Sequence, residues 1–101
     1  MAGSIALPDG TLWSASSWVF YWVIDTLADE LDDPELAARV RSISEHNLGW
    51  LDPGDFSAED RARVVAVLRS MPELAIRRMA PSEGRDAYVA VLTKLAGKLG
   101  Q

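Results

Sequence analysis

The sequence predicts an all-α protein, a compact bundle of four to five short helices preceded by an extended N-terminal arm. Three observations lead there. Apolar residues recur at helical spacing in several separate stretches, proline and capping residues cut the chain into helix-sized pieces, and the connections between pieces are short, roughly two to ten residues. A chain of 101 residues with 49% hydrophobic and 25% charged residues has the balance of an ordinary globular protein, long enough for one core and too short for two. One helical domain over residues 1–101, with residues 1–13 as its arm, is the expected organisation.

The arm, MAGSIALPDGTLW, carries the turn signal Pro8-Asp9-Gly10 between two short apolar pieces. A mixed fold in which this arm pairs as two strands is therefore the alternative to a plain extended segment. The first helix is expected to begin among the serines of SASS, where Ser14, Ser16 or Ser17 can accept a bond from a free backbone N–H, and to end near Leu31. The second has the clearest start: Asp33 as N-cap, Pro34 at the first helical position and Glu35 in the first turn. It carries Leu36, Val40 and Ile43 on one stripe and stops between Asn47 and Gly49, two residues that tolerate a left-handed backbone.

GWLDPGDF then turns, and Ser57 with Asp60 resembles a capping box opening a third helix whose apolar face is Val64, Val65, Leu68 and Met71. Pro72 ends or kinks it, PELAIRRMA adds a short helical piece, and Pro81 stops that piece. Ser82 caps a last helix with the stripe Tyr88, Leu92, Leu95 and Leu99, and Lys94 and Lys98 lie toward the end where cations suit the dipole.

The run LWSASSWVFYWVI, residues 12–24, asks for its own explanation. On a helical wheel Phe20, Ile24, Leu27 and Leu31 fall on one face, a standard buried stripe, while Trp18, Trp22, Asp25 and Asp29 fall nearly opposite. Three readings stay open. The first helix is central and packed on both sides over its first half; or Trp18 and Trp22 are anchors on a partner surface with Asp25 and Asp29 as charges beside them; or an aromatic small-molecule pocket involves Trp13 or Trp50. A membrane span is excluded, because the uninterrupted apolar stretch from Trp18 to Ile24 falls far short of the ~20 residues needed. No basic start precedes the run and acids follow it at once, so a cytoplasmic protein without a secretory signal is expected.

Charge is divided along the chain. Residues 1–60 hold twelve acids and two bases, a net −10, and residues 61–101 hold three acids and eight bases, a net +5. Such halves can pair internally, pair between copies, or present one face to an oppositely charged partner. Either a monomer or a weak homo-oligomer fits.

With no cysteine and one histidine, disulfides, thiolate chemistry and ordinary zinc sites are not expected. His46 reads as a surface residue at a helix C-terminus. The serines have no recognisable activating partner, and there is no Gly-rich phosphate loop, so no catalytic residue, metal or cofactor is assigned. The acidic run ADELDDPEL lacks the ligand order of a calcium loop and reads as capping. Arg61, Arg63, Arg69, Arg77 and Arg78 would carry the alternative, a small nucleic-acid-associated regulator with a helix-turn-helix over residues 58–80, although an isoelectric point near 4.7 opposes it.

The stretch GWLDPGDFSAEDRARVVAVLRSMP, together with the acidic first half and the tryptophans, resembles small single-domain immunity proteins of bacterial toxin systems. That resemblance implies a stoichiometric protein inhibitor that occludes a partner, often a basic one. The expected function is accordingly a non-enzymatic protein-interaction module, an immunity-type inhibitor or adaptor, binding through the acidic and aromatic face that holds Trp18, Trp22, Asp25 and Asp29.

Overall fold

Residues 2–16 form an antiparallel hairpin in the computed structural model, which describes residues 2–99; the paired alternative for the arm expected over residues 1–13 holds, and its second strand continues into Ser14–Ser16, expected at the start of the first helix. Met1, Gly100 and Gln101 of the expected domain lie outside the described residues. Strand β1 (Ala2–Ala6) pairs with β2 (Leu12–Ser16) in the register Ser4 opposite Ser14 and Ile5 opposite Trp13. The turn between them is held by Asp9, whose carboxylate accepts from the Thr11 hydroxyl at 2.6 Å and from the Thr11 backbone N–H at 3.0 Å; these bonds, the hydroxyl first, hold its pKa below the usual carboxylate value. Gly10 sits at φ 87°, a conformation that favours glycine.

A third strand, β3 (Trp50–Leu51), joins β1 in parallel, giving the order β2-β1-β3. The expectation of an all-α fold is therefore corrected: five helices accompany a small three-stranded sheet. Side-chain alternation explains its place in the fold. Ile5, Trp13 and Leu51 form a buried inner row across the three strands, and Ser4, Ser14 and Trp50 form the outer row.

Helix α1 (Ser17–Glu30) follows β2 without a loop. The proposed serine caps do not hold. Ser14 and Ser16 belong to the strand, and Ser16 at the N-cap position makes no side-chain bond because its backbone is still in the ladder opposite Ala2. Val19, Phe20, Val23, Ile24 and Leu27 of α1 are buried, and the helix packs on the sheet, on α2 and on α3.

Helix α2 (Pro34–Glu45) begins as read from the sequence: the Asp33 carboxylate accepts from the backbone N–H of Glu35 at 2.9 Å and of Leu36 at 3.3 Å. It buries Leu36, Val40 and Ile43 and ends with His46 at the C-cap, followed by Asn47 at φ 52° and Gly49 at φ 65°. Removing the cap with Asp33→Ala should cost about 1 kcal/mol and lower the melting temperature by about 4–8 °C. A circular-dichroism melt that does not move would contradict the assigned role of Asp33.

After β3, a single 3-10 turn (Pro53–Asp55) leads into α3 (Ala58–Arg69). Ser57 caps α3, accepting from the Asp60 N–H at 3.2 Å. Val64, Leu68 and Met71 are fully buried, while Val65 is only half-buried. Ser70 alone separates α3 from α4 (Met71–Arg78), so Pro72 stands in the first turn of a new helix, where its missing N–H costs nothing. Ser82 caps α5 (Glu83–Leu99) by accepting from the Arg85 N–H at 3.1 Å. Leu92, Leu95 and Leu99 face the core, and Trp13 reaches this helix by donating its indole N–H to the Val91 carbonyl at 3.4 Å. Among the described residues no helix is long and apolar enough to cross a membrane.

Candidate functional site

The face of α1 turned away from the sheet carries the predicted aromatic and acidic stripe. Trp18, in the first turn, is 82% exposed, so the reading of α1 as packed on both sides fails there. Trp22, one turn further, is half-buried against the core, and Asp25 and Asp29 are exposed. An open groove of about 400 Å³ lies over this face, lined by Ser17, Trp18, Tyr21, Trp22, Asp25 and Tyr88. Five of these belong to α1 at spacings of three and four residues, as one helix face requires.

Tyr88 comes from the first half of α5. Its ring meets Trp22 edge-to-face, with centroids 6.2 Å apart and planes at 84°. Tyr21 is held from behind by the buried Phe20 ring at 5.0 Å in the same edge-to-face manner. The groove therefore has two fixed aromatic walls, Trp22 and Tyr88, and one exposed flap, Trp18. Neither Tyr21 nor Tyr88 was among the residues expected at a site; Tyr88 heads the apolar stripe of α5 and differs from its companions only in being half-buried and aromatic.

The acidic part of the stripe divides in two. Asp29 accepts from Arg41 at 3.2 Å and Arg78 at 3.5 Å, and Arg78 also bonds Glu30 at 3.1 Å, so this carboxylate serves the joint between α1, α2 and α4. Asp25 pairs with no Lys or Arg among the described residues and lines the groove. Trp18, Trp22 and Asp25 are thus brought together, and Asp29 is drawn away from them.

Trp13 does not line a pocket. At 5% exposure it is core, with its N–H satisfied by Val91. Trp50, at 44%, borders a second groove of about 300 Å³ with Leu48, Ile43, Asp55 and Phe56, where the Arg39 guanidinium lies 4.6 Å from the Phe56 ring centre. That groove already contains its own cation.

The arginines of the alternative reading are scattered. Arg61 donates to the Pro53 carbonyl at 3.3 Å, and Arg63 is ringed by Glu59 at 2.9 Å, Asp33 at 3.4 Å and Asp60 at 3.5 Å. Arg78 is held as described, while Arg69 and Arg77 extend from the last turns of α3 and α4 and pair with no carboxylate among the described residues. Among the described residues no three of His, Asp and Glu converge to hold a metal ion, the ADELDDPEL acids included. Comparison of the chain with protein-family models, with curated protein sequences and with solved structures finds no match.

Proposed function

We propose that the protein is a non-enzymatic interaction module that binds a basic protein partner through the α1 face, acting by occupancy as an immunity-type inhibitor or adaptor does. The observation that carries this is Trp18: the most exposed large hydrophobic side chain among the described residues, at 82%, it lines one groove with a carboxylate, Asp25, that has no cationic partner among them. Tryptophan concentrates in binding hot spots, and a partner that covers it gains both its area and the neighbouring charge. The groove's side-chain oxygens among the described residues are those of the Ser17, Tyr21 and Tyr88 hydroxyls and the Asp25 carboxylate, with no histidine, so the serine there has no imidazole to activate it.

The nucleic-acid reading has less support. Arg63 and Arg78 are occupied by carboxylates, and one residue, Ser70, joins α3 to α4 where a helix-turn-helix needs three or four.

The test is the double variant Trp18→Ser with Asp25→Lys. Both side chains are exposed, so its helical spectrum and melting temperature should match the parent. Recovery of a basic partner on immobilised protein should fall about thirtyfold, corresponding to roughly 2 kcal/mol for one aromatic anchor, with association slowed further by the reversed charge. Co-expression of the parent chain, but not of the variant, should relieve any toxicity of that partner. Undiminished recovery by the variant would remove the α1 face from consideration, and retention of the parent on DNA at low salt with steep loss at higher salt would favour the nucleic-acid reading.

A further inference from the structure

Among the described residues, four aromatic side chains and one unpaired carboxylate surround a groove without a cation of its own, which amounts to a site with a missing positive charge. Trp18, Tyr21 and Trp22 lie three and four residues apart on α1, Tyr88 closes the groove from α5, and Asp25 stands one helical turn beyond Tyr21 and Trp22. The Trp22 and Tyr88 planes are nearly perpendicular at 84°, so a group seated in their corner meets the face of one ring and the edge of the other. Ring faces are the negative part of the aromatic quadrupole and attract cations placed over them. Arg39 over the Phe56 ring at 4.6 Å shows the same kind of contact elsewhere in this fold, there satisfied from within.

We infer that the α1/α5 groove is a cation slot and that its occupant is an arginine side chain of the partner polypeptide. This rests on reading the α1 face as the binding surface. Charge complementarity selects the sign: no Lys or Arg lines the groove, Asp25 has no cationic partner among the described residues, and the chain as a whole is −5. The lining selects the shape. A planar guanidinium stacks on an aromatic face and presents paired N–H donors to a carboxylate, and its methylene stem covers apolar ring surface, whereas an ammonium offers a compact, strongly hydrated point charge. A volume of about 400 Å³ lies in the lower part of the range for small ligand sites, ~300–1,000 Å³, and suits one side chain better than a folded segment. Trp18, exposed and without a ring contact among the described residues, supplies the third wall when it folds over the stem.

The experiment titrates the protein with the capped peptide acetyl-Gly-Arg-Gly-amide, with its norleucine analogue, and with tetramethylammonium, following the indole N–H resonances by NMR. The arginine peptide is expected to shift the Trp22 and Trp18 resonances saturably at millimolar concentration and leave buried Trp13 unmoved. Asp25→Asn and Tyr88→Leu should each weaken that response about threefold to tenfold with an unchanged helical spectrum, and added salt should weaken it in the parent but little in Asp25→Asn. Equal shifts with the norleucine peptide would overturn the cation slot, leaving an apolar groove, and so would an arginine response untouched by both variants. Saturable shifts with tetramethylammonium and none with the arginine peptide would overturn the polypeptide as source. Each of these leaves the α1 face itself standing if Trp18→Ser with Asp25→Lys still loses the partner, so the two failures are distinguishable.

Discussion

Leu27→Asp is expected to abolish cooperative folding at room temperature. Leu27 is fully buried at 0% exposure, in the last turn of the helix that packs on the sheet, on α2 and on α3. The change removes a large apolar side chain, itself worth about 2–5 kcal/mol, and leaves a carboxylate among hydrocarbon with no cation beside it. The sum exceeds roughly 4 kcal/mol, comparable with the whole stability of a domain this small. Leu27→Met, which keeps volume and polarity, should cost less than about 1.5 kcal/mol and still melt cooperatively. A sharp melt for the aspartate variant near the parental temperature would show that Leu27 is not core.

Gly3→Ala is expected to be nearly as damaging, although it adds a single methyl group. A Cβ at Gly3 would lie 2.0 Å from Cγ of Phe20 and 2.4 Å from both Cδ atoms, directly against the ring. Phe20 is fully buried and cannot swing aside, and β1 cannot retreat because it is the central strand, bonded to β2 on one side and to β3 on the other. Overpacking against a fixed ring and a fixed strand should cost about 3 kcal/mol or more and lower the melting temperature by at least about 12 °C. Gly97→Ala, in α5 with open space around it, is the matched control and should be neutral or slightly stabilising. If Gly3→Ala and Gly97→Ala melt alike, α1 does not rest on β1 as described.

What could be read from the chain follows the range over which each signal acts. The caps at Asp33, Ser57 and Ser82 and the stripes of α2 and α5 were legible because cap and helix face are decided within a few residues. The sheet was not. In β2 only Trp13 and half-buried Ala15 point inward, and Ser14 and Ser16 beside them carry a stronger capping signal than a strand signal; β3 has two residues, and its partner lies more than forty positions away. The site divides in the same way. Periodicity alone placed Trp18, Trp22 and Asp25 on one face, whereas Tyr88 joins them only through the packing of α5, and Asp29 leaves them only because Arg41 and Arg78 arrive from other helices.

The parallel pairing of β3 with β1 has a consequence for how the chain is held together. The Ser4 N–H donates to the Gly49 carbonyl at 3.0 Å, so residues 4–49 form a ring whose ends are joined by main-chain bonds. Among the described residues no main-chain bond ties that ring to residues 58–99, which are attached by core packing, by the Trp13 indole on Val91 and by Arg63 and Arg78 on Asp33, Asp29 and Glu30. The seam in bonding also divides the charge, since residues 4–49 hold eight acids and two bases, net −6, and residues 58–99 hold five acids and eight bases, net +3. The molecule is in this sense a docked pair within one chain, an acidic receptor holding a basic ligand, and the acid side retains the excess charge together with every lining residue of the α1 groove except Tyr88.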